Sequence, residues 1–318
     1  MRDERIFSNV IGKQLEPDER RKVRGHTDKW YDKTDRRNNI SVFAEQNLHI
    51  GKWSASVGAL ASHNKFTNGK LKFFPGIDLA FRPNDLLRIY ASANTAMRLP
   101  TFTDLSYDTA THISNPYMEP EYSTEYEFGT RFTAARSFFN VTYFYRNIEK
   151  TIDWEVRNDM RQSINHDTNI FMHGISMGGV WNVGNNFPIQ SVSVYYTYMT
   201  GNTSTDQYRS QYVMTYLRHK LNIGLTHRIF EKICAHWQVG WQDRNGGFMQ
   251  YNIADNTETA TSYASFWKTD LRIYRQTERI NVFVEATNIG GKQYQDIGNV
   301  LLPGRWIRAG IALTISNF

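Results

Sequence analysis

The chain has 318 residues, of which 40% are hydrophobic and 14% aromatic, and its formal net charge is +6. Its single cysteine, Cys234, excludes an intrachain disulfide and a cysteine-based zinc site. No run approaches the roughly 18 apolar residues of a membrane-spanning helix, and the mild, scattered positive charge does not predict a nucleic-acid partner.

Residues 1–39 lack the apolar core of a signal peptide. The chain is charged from Arg2 onward, and a basic, polar stretch covers residues 13–39. Either the protein stays in the cytosol or Met1 is not its true start. Before this stretch, residues 6–11 are a candidate strand.

A two-residue period begins at residue 40. In residues 40–50 the apolar side chains fall on even positions, and Ser41, Glu45 and Asn47 occupy the other face of an extended chain. The alternation recurs at residues 53–61, 77–81, 87–93, 122–132, 139–145, 175–181, 192–198, 221–225, 233–241, 267–273, 280–286 and 307–315. This pattern predicts an all-β chain of about thirteen strands, or fourteen with residues 6–11. Each strand has about ten residues, the length that a tilted strand needs to cross a bilayer.

The links between these strands alternate in length. Short links lie at residues 51–52, 82–85, 134–136, 184–188, 230–232 and 276–278, and long polar links at 63–72, 97–121, 148–169, 200–215, 244–262 and 290–305. A soluble sandwich has no such alternation, whereas an outer-membrane barrel has short periplasmic turns and long outer loops. The sequence therefore favours a transmembrane antiparallel up-and-down β-barrel whose last strand leaves Phe318 in the periplasm.

The face of the predicted strands opposite the apolar residues carries charges of both signs. They belong to Arg88, Glu125, Glu127, Arg131, Asp270, Arg272, Glu285 and Arg308. Ionised groups are tolerated where they stay solvated, as in the hydrated lumen of a barrel. These residues are therefore predicted to face the lumen.

The strand count suggests that the barrel is larger than this chain. Bacterial single-chain barrels have an even number of strands, and no export signal precedes the first strand. We expect residues 40–318 to form the C-terminal portion of a transmembrane β-barrel and residues 1–39 to be an outer loop or a strand remnant. A self-contained pore of 12 to 14 strands is the alternative.

Several short segments resemble one known family in the order in which it has them. Residues 96–105 (AMRLPTFTDL) and 115–121 (NPYMEPE) precede a strand with Glu125 and Glu127, and residues 286–305 contain ATNI and PGR before the terminal Phe318. Over residues 40–318 the chain resembles the TonB-dependent outer-membrane receptors. It departs from their pattern at Gly290-Gly291, where the family often has Phe-Asn.

The resemblance implies a C-terminal part of a 22-stranded barrel in the outer membrane of a Gram-negative bacterium. It implies uptake of a bulky, scarce nutrient such as a siderophore, cobalamin or a glycan. The implied partners are outer-membrane lipid, an N-terminal plug domain and, through it, the TonB energy-coupling complex, together with the barrel assembly machinery at Phe318. No cofactor is implied. Because no segment resembles the plug, we do not expect the chain alone to perform energised import.

The same resemblance gives roles to two sets of side chains. It places the lumen charges against the plug, and charge balance in a wet interior is the alternative. Rings on the long loops are candidates for ligand capture by stacking and hydrogen bonding, although such rings also pack their own loops. The set comprises Phe102, Tyr107, His112, Tyr117, Trp154, Tyr208, Tyr212, Phe248 and Tyr251.

The sequence contains no recognisable catalytic or metal-binding motif. The nine histidines include no His-Glu-x-x-His spacing. His173 and Ser176 have opposite parity on one strand and so point to opposite faces. We therefore predict no catalytic residue, no metal site and no enzyme, with an outer-membrane hydrolase and a soluble β-rich binding module as lesser alternatives.

Overall fold

Fourteen long antiparallel strands form one sheet in the computed structural model of the chain. The structure describes residues 2–8, 21–22, 30–31, 33–67, 69–109, 111–157, 160–184, 187–202, 210, 213, 215–252, 257–277, 279–298 and 300–314. The strands are β1 (Arg2–Ser8), β2 (Lys33–Ile50), β3 (Trp53–His63), β4 (Lys72–Phe81), β5 (Leu87–Arg98), β6 (Glu121–Ala134), β7 (Ser137–Glu149), β8 (Ile170–Asn182), β9 (Ile189–Gly201), β10 (Leu217–Phe230), β11 (Ile233–Arg244), β12 (Phe266–Gln276), β13 (Ile280–Thr287) and β14 (Trp306–Leu313).

Each strand pairs with the strand that follows it in the chain, so the sheet is a continuous meander. The prediction of thirteen to fourteen strands is confirmed. The fourteenth is β1, which spans Arg2–Ser8 instead of the predicted residues 6–11, of which 9–11 lie outside the described residues. It pairs with β2 in a register that runs from Arg2 opposite Asn39 to Ser8 opposite Lys33. As a result β2 begins at Lys33, before the apolar alternation that starts at Ile40.

The alternation of link lengths is also confirmed, and it gives the sheet two different ends. We call the end with the short connections the turn end and the other the loop end. The links at the loop end hold further small elements. These are a 3-10 turn at Lys65–Thr67, the helix α1 at Phe102–Ser106, and short strands at His112–Ile113, Ile152–Arg157, Met160–Asn165, Gly247–Asn252, Thr257–Ser262, Gln295–Ile297 and Val300–Leu301. The N-terminal strand pair is Arg21–Lys22 with Trp30–Tyr31.

The two faces of the sheet differ because successive side chains of a strand point to opposite sides. The apolar face carries large side chains that stay exposed, among them Val42 at 66% and Ile311 at 70%. The polar face carries the charged residues. Few large apolar side chains of the described sheet are buried, so the sheet is stabilised by its backbone ladder rather than by a core.

Aromatic side chains gather near both ends of the apolar face. Trp53 and Phe81 contact each other at the turn end, with ring centroids 4.5 Å apart, and Trp181 lies at the same end of β8. At the loop end, Trp241 and Trp267 have ring centroids 6.1 Å apart. Between the two ends, aliphatic side chains such as Val141 share the face with a few rings, among them Phe128 and Tyr143.

Glycine permits close crossings of rings on the polar face, of which the one at Gly129 is an example. The Tyr90 ring on β5 lies across Gly129 of β6, and its hydroxyl reaches Thr142 on β7. A Cβ at Gly129 would lie 2.5 Å from the Tyr90 ring and 2.8 Å from the Val141 carbonyl oxygen. Only glycine leaves room for this ring.

The links after β5 and β7 pack together into a unit that we call the loop cap, defined as residues 99–109, 111–120, 151–157, 160–169 and Ser210. Its small sheet joins Ile152–Arg157 to Met160–Asn165, which in turn pairs with His112–Ile113. Leu105, Met118 and Ile152 form its apolar core, against which Phe66 packs. Among the described residues, no helix is long and apolar enough to span a membrane.

Candidate functional site

The eight charged residues predicted to face the lumen all lie on the polar face, in two groups on separate parts of the sheet. Strand register explains their neighbours: Arg88 lies opposite Arg131, and Glu125 lies between Asn94 and Arg146. On the same face, at the C-terminal edge of the sheet, Arg272, Glu285 and Arg308 lie opposite one another on the successive strands β12, β13 and β14. The remaining two, Glu127 and Asp270, share this face.

Several of these charges are paired within the sheet. Arg146 Nε donates to Glu125 Oε2 at 2.8 Å, and Arg308 Nη2 donates to Glu285 Oε1 at 2.7 Å. Asp270 Oδ1 accepts from the Asn288 backbone at 2.7 Å. The Arg272 guanidinium lies 4.3 Å from the Phe283 ring centroid. These contacts fix the charged side chains against the strands.

Charge is unevenly distributed along β2 to β6 on this face. Glu45, Asp78, Glu125 and Glu127 lie towards the loop end, whereas Arg88 and Arg131 lie at the turn end. A cavity of about 270 Å³ adjoins Glu45, Asp78 and Asn94. A larger one, of about 480 Å³, adjoins the arginines. The face therefore offers an acidic and a basic region to whatever covers it.

In the loop cap, Asp104 connects three segments. The Thr101 amide donates to Asp104 Oδ2 at 2.8 Å and closes a capping box on α1. Trp154 Nε1 donates to Asp104 Oδ1 at 2.9 Å, and Ser163 Oγ donates to the Asp104 carbonyl at 2.6 Å. These bonds hold the helix against the Ile152–Arg157 hairpin.

A second polar cluster of the cap centres on Asp153, which is 0% exposed. Ser210 donates to its carboxylate, and His166 Nε2 lies 3.2 Å from Asp153 Oδ2. The other ring nitrogen of His166 lies 3.7 Å from Glu155 Oε1. Since buried polar groups need partners, this cluster rigidifies the cap.

The rings predicted for ligand capture fall into separate groups. Tyr107, His112 and Trp154 form a row, with centroids 5.5 and 5.6 Å apart. Trp154 is only 6% exposed, so it packs inside the cap, whereas Tyr117 is 89% exposed. Arg37 lies over the Phe102 ring at 5.1 Å. Tyr208 and Tyr212 lie outside the described residues, as does Phe318.

The titration of His112 in this row is shifted. Burial lowers the pKa of His112 below its ordinary value, and the positive charge of Arg161 on the neighbouring strand lowers it further. Its Nδ1 lies 2.9 Å from Thr111 Oγ1 and 3.2 Å from Thr109 Oγ1. The neutral ring therefore persists to lower pH than a free histidine would.

Phe248 and Tyr251 belong to another loop, the hairpin of Gly247–Asn252 and Thr257–Ser262. A pocket of about 230 Å³ lies between this hairpin and residues 292–301, and we call it the hairpin pocket. The rings of Phe248 and Tyr263 are in tilted contact with centroids 5.1 Å apart, and those of Phe266 and Tyr294 with centroids 4.5 Å apart. Burial raises the pKa of Tyr263 above its usual value.

Sequence reasoning missed several residues of these sites. The Thr101-x-x-Asp104 spacing is a capping-box signal and predicts the start of α1. Asp153 and His166 gave no comparable signal, because their contacts join segments far apart in the chain. Within the described residues, no three side chains of His, Cys, Asp or Glu are grouped so as to hold a metal ion.

Comparison with known sequences supplies a family and a relative. The sequence model of the family described as TonB dependent receptor-like, beta-barrel, matches residues 9–289. The vitamin B12 transporter BtuB of Vibrio vulnificus (strain YJ016) is 28% identical over 130 residues, which are 39% of this chain and 19% of that protein.

Solved structures share the fold at low sequence identity. The siderophore receptor PirA from Acinetobacter baumannii matches with a TM-score of 0.69 and 14% identity, over 98% of this chain and 50% of that one. The copper transporter OprC matches with a TM-score of 0.69 and 14% identity, over 90% and 48%. The FrpB iron transporter from Neisseria meningitidis matches with a TM-score of 0.64 and 15% identity, over 88% and 45%. The chain thus spans about half the length of the structures that it matches.

Proposed function

The chain belongs to the TonB-dependent receptor β-barrel family, and on that premise we propose that it forms part of the wall of a nutrient transporter in the bacterial outer membrane. One observation carries the proposal, namely the exposed apolar face of the fourteen-stranded sheet, bordered by aromatic residues at both ends. A contiguous exposed apolar surface is typical of a membrane contact.

The dimensions of this face suit a bilayer. Trp181 at the turn end and Phe171 at the loop end both point to the apolar face of β8. They are ten residues apart, which is about 33 Å along a strand at roughly 3.3 Å per residue and about 25 Å in height at a strand tilt of roughly 40°. The apolar band of outer-membrane barrels is about 25 Å tall and has aromatic girdles at both borders.

We propose that the polar face lines the lumen and contacts a plug domain. Glu125 and Glu127 would offer carboxylates to cationic side chains of such a domain, and Arg272 and Arg308 would offer donors to acidic ones. Through the plug, transport would depend on the TonB energy-coupling complex. By the same proposal, residues 40–318 are the C-terminal portion of the barrel, and the barrel assembly machinery binds the end of the chain.

The exposed rings at the loop end are the candidates for substrate contact. Tyr107, Tyr117 and Tyr251 are all exposed, whereas Trp154 is occupied by its bond to Asp104. Rings with a polar tip suit the capture of a bulky amphipathic solute. The named relatives are transporters and receptors, and we propose a siderophore, a cobalamin or a glycan as the substrate and no catalytic activity.

Deletion of the encoding gene tests this function. The chain should fractionate with the outer membrane, and the deletion strain should lose uptake of one ligand from a panel of ferric siderophores, cobalamin and oligosaccharides. Removal of the TonB protein should abolish the same uptake. If the chain instead conducts ions steadily through planar bilayers and uptake is independent of TonB, the self-contained pore is correct.

A further inference from the structure

Two arginines lie opposite each other on the polar face, and neither is paired with a carboxylate among the described residues. Arg88 on β5 lies directly opposite Arg131 on β6. The Cβ atoms of such a pair are about 4.5–5.5 Å apart, and like charges so placed repel each other. Neither arginine belongs to any of the ion pairs among the described residues.

The surroundings of the pair leave its donors available. Arg88 Nε is buried and has no hydrogen-bond partner. The Arg131 guanidinium lies 4.9 Å from the Phe138 ring centroid, and that of Arg88 lies 5.8 Å from the Tyr90 ring centroid. Stacking of a guanidinium on a ring uses its flat face, so the N–H groups along its edge remain free to donate.

Further cations line the same space. The cavity of about 480 Å³ at the turn end is bordered by Lys52 and Arg82 as well as by Arg88 and Arg131, and Asp85 is the one carboxylate among its lining residues. Asp78 lines a smaller neighbouring cavity with Arg82 and Arg88, yet it forms no ion pair within the described residues. Four positive charges thus meet one negative charge around a space larger than a phosphate ion.

From this arrangement we propose that the turn end of the polar face is a binding site for an oxyanion, held between Arg88 and Arg131 and attracted by Arg82 and Lys52. A guanidinium donates two parallel hydrogen bonds to a carboxylate or a phosphate, which explains why arginine rather than lysine forms the central pair. The ligand would satisfy the buried Arg88 Nε and remove the repulsion between the two side chains. The site is independent of which nutrient is transported.

The anion has two conceivable sources with the same chemistry. It is either a solute, such as phosphate, or an acidic side chain of another protein segment that packs on the polar face. Chemical modification of arginine in membranes from cells that express the full chain distinguishes them. Phenylglyoxal labelling of Arg131 is compared by mass spectrometry with labelling of Arg136, which is also exposed and lies at the same end of the sheet but outside the cavity.

The proposal expects Arg131 to be labelled at least tenfold more slowly than Arg136. If protection appears only when inorganic phosphate is added to washed membranes, the source is a solute. If protection is present without any added anion, the source is an acidic side chain. In both cases the substitution Arg88→Gln should remove the protection of Arg131, because an anion shared by two arginines is lost with either one.

Two results would overturn the proposal. The first is equal labelling of Arg131 and Arg136 with and without phosphate. The second is protection of Arg131 that persists unchanged in Arg88→Gln, since simple steric cover does not depend on the opposite arginine. Arg136→Gln, which removes the same charge outside the cavity, should leave the protection of Arg131 intact.

Discussion

The sheet and the loop cap differ in which side chains they bury. On the apolar face of the sheet, large side chains such as Val42 and Ile311 are mostly exposed. In the loop cap, the acids Asp104, Asp153 and Glu155 are buried, together with the apolar residues Leu105 and Ile152. The sheet is thus apolar outside, and the cap has its own small core with polar groups inside.

This difference in burial suits two different solvents, lipid at the apolar face of the sheet and water around the cap. An exposed apolar face is stable when lipid rather than water contacts it, and the strand ladder satisfies the backbone within the sheet. A cap in water must close its own core and pair every buried polar group. Hence the cap should respond to loss of a polar contact, whereas the sheet should respond to a charge on its apolar face.

The largest expected effect is that of Asp153→Ala in the cap. The substitution removes the acceptor of Ser210 and of the Trp154 amide and the nearer of the two carboxylates beside His166. Loss of one member of a buried polar cluster costs about 3 kcal/mol. Hydrogen exchange at residues 152–157 should therefore accelerate by roughly a hundredfold, while exchange in β6 and β7 stays unchanged.

A matched control lies in the same segment. Asp167→Ala removes an equal charge from an exposed position and should leave exchange in the cap unaltered. Equal acceleration in the cap and in β6 would show that the two regions unfold as one unit, and the contrast between them would then be wrong.

A charge on the apolar face is expected to have the next largest effect. Val141 lies on the apolar face of β7, whereas Ser92 lies on the polar face of β5 between Asp78 and Glu127. Arginine near the middle of the lipid-facing surface of a barrel costs about 2–4 kcal/mol, whereas arginine in the lumen is tolerated. Denaturant unfolding from lipid vesicles should thus show Val141→Arg to be destabilised and Ser92→Arg, which faces two carboxylates, to be nearly unchanged. Equal losses would argue against lipid on that face.

These two regions also differ in how far the sequence predicts them. The sequence predicts the strands, their faces and the short turns because a two-residue period is a local property. The alternation of apolar and polar residues is visible within a single segment, such as the one that begins at Ile40 or at Phe139. The cap was predicted only as long polar links. Its organisation depends on contacts such as Asp153 with Ser210 and Trp154 with Asp104, which join residues 57 and 50 positions apart.

The candidate sites follow the same division. Parity predicts the charges of the polar face, yet the pairing of Arg88 with Arg131 depends on strand register. Register depends on how two strands align their apolar faces, so it is not visible in either strand alone. The position of Trp154 in a long polar link predicts a ring available for ligand capture. Its hydrogen bond to Asp104, which buries the ring inside the cap, is visible only in the folded structure.

A smaller effect is expected within the sheet at Gly129. Alanine there would push against the Tyr90 ring and the Val141 carbonyl oxygen. Overpacking of this kind costs about 1–3 kcal/mol, and the same vesicle unfolding measurement detects it. Gly290→Ala is the control, because a Cβ at that position meets open space. A neutral Gly129→Ala would mean that the Tyr90 ring moves aside freely.

The smallest effect concerns the pH dependence of the cap. Because burial lowers the pKa of His112, the unfolded cap binds a proton more readily than the folded one. The contribution of His112 to stability is therefore complete above its ordinary pKa of about 6.5 and is lost as the pH falls through that value towards the lower folded pKa. Hydrogen exchange at His112–Ile113, corrected for the intrinsic rate, should accelerate between pH 7.5 and pH 5.5 on the order of severalfold, and His112→Gln should remove this dependence. If the variant keeps the full dependence, another group of the cap must bind the proton, and the row of Tyr107, His112 and Trp154 would then contribute packing alone.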